Sequence, residues 1–152
     1  MKLLFLIGLM LGSFMVMEFI AWFTHKYIMH GPLWSLHRDH HRRDDGQIVE
    51  RNDSFFVFFA VPAIVLFLFG IKGGWMDYRI WIASGITLYG ATYFTVHDIF
   101  IHQRFKLFRN SNHPYFKAIR RAHKVHHKQL GREGGSCFGM LIVPFKYLKE
   151  NQ

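Results

Sequence analysis

Three long apolar runs, near residues 3–24, 54–71 and 80–96, alternate with polar stretches in which histidines crowd together. The first run holds about 22 residues, enough at about 1.5 Å per residue to cross a bilayer core of about 30 Å. Its one charged residue is Glu18. A cleaved signal peptide is the competing reading, but the run is too long and no A-x-A-like site follows it. The second run, SFFVFFAVPAIVLFLFGI, carries no charge. Pro62 inside it predicts a kink, which membrane helices tolerate. KGGWMDYR then reads as a short turn that sets Trp75 and Tyr78 at the interface. The third run leads directly into His97. The pattern predicts an all-α integral membrane helical bundle of three or four transmembrane helices with a cytoplasmic, His-rich helical cap. One membrane domain spans 1–152, and the cap comes from 25–53 and 97–152.

Charge gives the orientation. Half of the 152 residues are hydrophobic, yet the net charge is +9. Three spans put Lys2, Lys72 and Arg79 on one side and the remaining 16 of the 19 Lys and Arg on the other. The excess of positive charge marks the second side as cytoplasmic and the N-terminus as outside. The cations adjoin apolar runs, where anionic headgroups attract them, so membrane lipids are expected as partners and nucleic acid is not. The only cysteine, Cys137, can build neither an internal disulfide nor a thiolate zinc site. It reads as a small filler residue.

Ten of the 11 histidines fall into four groups: His25 and His30; His37, His40 and His41; His97 and His102; His123, His126 and His127. The spacing runs H-x4-H, H-x2-H-H, H-x4-H, H-x2-H-H, all on the predicted cytoplasmic side. On an α-helix, positions i, i+3 and i+4 lie within about 100° of arc, so each triplet faces one way. Positions i and i+5 lie about 140° apart and about 7.5 Å along the axis. Each pair therefore reaches two different metals or approaches one metal from two sides. A solvated His-rich face or a pH sensor would not need matched spacing. His113, before a proline, reads as a loop residue outside the set.

Neutral imidazole suits zinc, copper, iron and nickel. A single catalytic zinc needs only about three protein ligands. Ten histidines match two metals with about five each, and a dinuclear iron centre fits if dioxygen is the oxidant. Soluble di-iron sites are carboxylate-rich, so an all-His set marks a different class. An imidazole bound to metal usually donates its other N–H to an oxygen. Glu18, Asp39 and Asp98 are the candidates for that orienting role. Glu18 is costly inside a span and lies about two turns before His25 on the same face; the alternative is that it bonds another helix.

FTHKYIMHG, ERND, VHDIFIHQR, RAHKVHH and GSCFGMLIVP together resemble the fatty acid hydroxylase superfamily of membrane non-haem di-iron enzymes, and within it the bacterial β-carotene 3-hydroxylases. The resemblance covers residues 18–144. It implies two Fe ions held by the ten histidines, dioxygen as co-substrate and a ferredoxin-type electron donor. It implies hydroxylation at C3 of the β-ionone ring, from β-carotene through β-cryptoxanthin to zeaxanthin, in a bacterial cytoplasmic membrane. No catalytic residue beyond the metal ligands is expected. An unactivated C–H bond resists acid–base chemistry, so the protein's part is to hold the metals, exclude water and position the ring.

The carotenoid would enter from the bilayer past Phe55, Phe56, Phe58, Phe59, Tyr89, Tyr93 and Phe94. Arg104, Lys106, Arg120, Arg121 and Lys124 would form a basic face for lipid headgroups or an acidic donor. The alternatives are a fatty acyl or sterol hydroxylase or desaturase with the same metal site, or a membrane metal transporter. Transport needs ligands at membrane depth, whereas these histidines lie just outside the spans.

Overall fold

The computed structural model describes residues 1–42, 49–108 and 110–149, and the regular structure among them is entirely helical. Helix α1 (Lys2–Phe23) runs without a break into a π-helical segment, Thr24–Met29. A short helix α2 (Trp34–His41) follows. A 3-10 turn, Arg51–Asp53, opens α3 (Ser54–Gly70). Helix α4 (Tyr78–Tyr93) again passes into a π-helical segment, Phe94–Ile101. Helix α5 (Pro114–His127) begins with its proline in the first turn, where no N–H is needed. A single turn, α6 (Lys146–Lys149), closes the described chain.

Two helical stretches among the described residues, Lys2–Met29 and Arg51–Gly73, are long and apolar enough to cross a membrane. Pro62 lies inside α3 without ending it. The expected third span is α4, which packs against both α1 and α3. It is shorter and more polar, but Ser84, Thr87, Thr92 and Thr95 turn their hydroxyls back onto the carbonyls of Ile80, Ala83, Leu88 and Ala91. That satisfies each hydroxyl within the helix itself.

Gly85 lets α4 meet α1 backbone to backbone. A side chain there would strike Ser13 Oγ and the Met10 carbonyl, and Ser13 donates across the contact to Ile82 O at 3.2 Å. The turn before α4 uses Gly74 at φ +70°, a conformation open to glycine. Asp77 then caps α4 through the Arg79 N–H at 2.9 Å.

Two apolar clusters sandwich the histidines. One joins Met17, Ala21 and Tyr89 between α1 and α4. The other joins Ala118, Ala122 and Tyr147 in the cap, with Cys137 packed against it. The filler reading of Cys137 fits that place, although its φ of +59° puts it in an unusual turn. A cavity of about 760 Å³ lies among α1, α3 and α4, apolar along most of its wall and ending on His25, His97 and His123.

Candidate metal centre

The two kinds of histidine motif are delivered by two kinds of helix. Both H-x4-H pairs lie at π-helical segments. The His30 N–H donates to His25 O at 3.1 Å and the His102 N–H to His97 O at 2.9 Å, so each pair spans one i→i+5 turn. This wider turn brings residues five apart onto one side. The α-helical arithmetic of about 140° therefore does not hold here, and both rings of a pair enter the same group. The triplets lie on ordinary α-helix, in α2 and α5.

Nine histidines gather into two groups able to hold a metal ion. The first is His25, His30, His37, His41 and His126; the second is His40, His97, His102 and His123; within each, the ligand nitrogens lie within 4.8 Å of one another. Each triplet thus divides between the groups. His127 stands between them, its ring centroid 4.6 Å from that of His41 and 4.5 Å from that of His123. Its Nε2 is buried without a hydrogen-bond partner. His113 lies outside both groups, at the start of α5 with its ring near Phe116.

The hydrogen bonds identify the free nitrogen. His25, His30, His41 and His126 donate from Nδ1 to the carbonyls of Phe138, Arg132, Gln129 and Ser136 at 2.8–3.1 Å. His37 donates to Asn52 Oδ1 at 2.6 Å and His40 to Glu50 Oε2 at 2.7 Å. These oxygens only accept, so Nδ1 carries the proton and Nε2 the lone pair. Burial keeps the rings neutral: it holds His37 and His127 down to about 2, His126 to about 3 and His41 to about 4.

Yet the Nε2 atoms face each other. His25 and His37 are 3.1 Å apart, His37 and His41 3.2 Å, His30 and His41 3.2 Å, and His30 and His126 3.3 Å. Lone pairs in such contact repel unless a cation lies among them. With metal–nitrogen bonds of about 2.1 Å, ligands at right angles lie about 3.0 Å apart and tetrahedral ones about 3.4 Å. The spacings fall between these two values, as expected of nitrogens that could share an ion, and five ligands in one group exceed the four of a structural zinc. With these facing lone pairs and the orphaned His127 Nε2, the residues fit a pair of nitrogen-bound transition metals.

Of the three carboxylates expected to orient imidazoles, only Asp98 lies beside one, its Oδ2 3.5 Å from His97 Nδ1. Among the described residues neither Glu18 nor Asp39 is hydrogen-bonded to an imidazole. Asp39 accepts from the N–H groups of His40 and Arg51 at 2.9 and 2.6 Å, which fastens the segment before α3 to α2. Glu18 Oε1 accepts from the N–H groups of Met140, Leu141 and Ile142 at 3.1, 2.8 and 3.0 Å, while Oε2 accepts from Tyr89 at 2.8 Å. It reaches the metal centre at one remove, because the segment it holds carries the Phe138 and Ser136 carbonyls.

Glu50 and Asn52 do what was expected of the others. They sit 10 and 15 residues from the rings they hold, in the ERND stretch that entered the sequence reading only as a family likeness. Arg104 is also turned inward, its guanidinium on Asp53, Asp98 and Glu50. Arg120 lies with its guanidinium 4.2 Å from the Phe100 ring centroid. Lys106 and Lys124 remain exposed from the expected basic face. Of the expected substrate path, Phe55, Phe56, Phe59, Tyr89, Tyr93 and Phe94 line the cavity. Phe58 points outward and is exposed. Ala60, Ala63, Thr87 and Gly90 also line the cavity, with Ile64, Phe67 and Ile86 among others.

The fatty acid hydroxylase family model matches residues 10–147, and the chain belongs to that family. It is 39% identical to the beta-carotene hydroxylase of Paracoccus sp. (strain PC1), over 90% of this chain and 83% of that one. It is 44% identical to the beta-carotene hydroxylase of Pseudescherichia vulneris, over 86% and 73% of the two chains. The Pantoea ananas beta-carotene hydroxylase is 42% identical over 84% of this chain and 71% of its own. No solved structure matches the chain.

Proposed function

We propose that this protein is a membrane di-iron monooxygenase that hydroxylates C3 of β-ionone rings, converting β-carotene through β-cryptoxanthin to zeaxanthin. The observation that carries the reading is the apolar cavity among α1, α3 and α4, which ends on histidines of both groups: His25 of one, His97 and His123 of the other. A hydrocarbon ring pushed to the end of that cavity meets both metal positions at once.

The ten histidines, His25, His30, His37, His40, His41, His97, His102, His123, His126 and His127, would hold the iron. The iron pair, when bound, supplies activation of dioxygen by two electrons. Overall, substrate C–H, dioxygen, two electrons and two protons give C–OH and water. The chain's own residues do the rest. Phe55, Phe59 and Ile86 keep water from the ring, and Ala60, Ala63 and Gly90 leave the width it needs between α3 and α4. Tyr93 lies with its ring 4.7 Å from that of His97 and closes the cavity against the metal layer.

Helix α4 is the third span. The N-terminus lies outside and the histidines face the cytoplasm of a bacterial cell. Anionic lipid headgroups meet the cations along that side. A ferredoxin-type donor delivers the electrons, attracted by the exposed cations Lys106, Lys124 and Lys128. The test is aerobic expression in bacteria that accumulate β-carotene, with the pigments separated by chromatography. Cryptoxanthin and zeaxanthin are expected. Unchanged β-carotene, with the protein present in the membrane, would remove the carotenoid reading.

A further inference from the structure

We infer that the two histidine groups hold metal with unequal strength, and that the carboxylates gathered by Arg104 make the position at His40, His97, His102 and His123 the tighter one. The inference rests on the two-metal reading above.

The five histidines of the first group all donate from Nδ1 to uncharged oxygens: four backbone carbonyls and the Asn52 amide. The second group is set differently. His40 donates to the Glu50 carboxylate at 2.7 Å, and the Asp98 carboxylate lies 3.5 Å from His97 Nδ1, near enough to act by its charge but not hydrogen-bonded to it. Both carboxylates converge with that of Asp53 on one guanidinium. Arg104 Nε is 3.0 Å from Asp98 Oδ1, and Nη2 is 2.7 Å from Asp53 Oδ1 and 3.3 Å from Glu50 Oε2. The Arg104 N–H also donates to the Asp98 carbonyl at 2.9 Å.

Three carboxylates against one guanidinium leave net negative charge beside the second group. A carboxylate on the Nδ1 proton draws that proton away from the ring and makes Nε2 a stronger donor. Negative charge nearby also favours a bound cation, and burial limits its screening by salt. Both effects act on one group only. Arg104 is the positioning residue of the arrangement. It keeps mutually repelling carboxylates together, Glu50 on the His40 Nδ1 proton and Asp98 beside His97.

The chain, purified in detergent and stripped of metal, would be titrated with Co(II) and followed by visible absorption. Two equivalents should enter in two resolved steps. Glu50→Gln keeps an oxygen acceptor and removes the charge. It should weaken the tighter step by about 10- to 100-fold and leave the weaker step in place. Asp98→Asn should act on the same step, and decides the matter if Glu50→Gln does not fold. Asn52→Leu, which takes the acceptor from His37, should weaken the other step. Two wild-type steps of equal affinity, or equal weakening of both by the carboxylate variants, would overturn the inference. Fewer than two equivalents bound by the wild-type chain would overturn the two-metal reading instead.

Discussion

The histidines arrive by two routes. The pairs His25/His30 and His97/His102 grow from the ends of α1 and α4 on π-helical turns, and each pair serves a single metal group. The triplets lie on α2 and α5, and each divides between the groups. A pair therefore builds one position, while a triplet stitches two positions together. The wide backbone turn sets the two rings of each pair on one side, and the carbonyls of the 129–138 segment then hold His25 and His30 of one pair as they hold His41 and His126 of the triplets.

Changes at the pairs should hurt one position first. His30→Ala is expected to leave about one metal per chain and to lower pigment conversion by more than about 100-fold, a larger loss than the 10- to 100-fold usual for an outer partner. Metal analysis beside chromatography would check both. Loss of both metals would mean that the groups fill only together. Deleting the exposed Tyr27 turns H-x4-H into H-x3-H and removes the need for the wide turn. It should also cost about one metal, and full retention would show that the π turn is dispensable.

Glu18→Ala is a milder challenge. It frees the segment whose carbonyls hold His25 and His126, so conversion should fall by about 10-fold or more, with weaker metal retention in the first group. Unchanged metal loading would limit Glu18 to helix packing. Below the metal layer the effects should shrink further. Gly85→Leu overpacks the contact of α1 with α4 and should cost about 1–3 kcal/mol, read as a lower unfolding temperature in detergent. Phe58→Ala, facing outward from α3, should change stability by no more than about 0.5 kcal/mol and leave turnover alone.

The sequence made the histidine set legible because ligand spacing recurs, and the helices legible because their apolar runs are long. The π turns were hidden, since periodic reasoning assigns every helix the same angle per residue. With that angle, His25 and His30 could serve two metals or one metal from two sides, and the spacing did not choose between them. Glu50 and Asn52 were hidden for another reason. They meet His40 and His37 only because the chain folds back after α2, and no spacing rule reaches across such a return. The role of Glu18 was half visible. A carboxylate in an apolar run demands partners, but nothing in the sequence assigns them to N–H groups more than 120 residues away.

That last contact also has a timetable. Glu18 and the Met140 N–H are 122 residues apart. At synthesis rates of about 5–20 residues per second, the carboxylate waits roughly 6–24 s for the segment that completes its hydrogen bonds. The acceptor that steadies His25 belongs to the same late segment. Until the segment around Phe138 has left the ribosome, the first group lacks its final support. The first histidine group is in this way completed only after synthesis has passed residues 136–142.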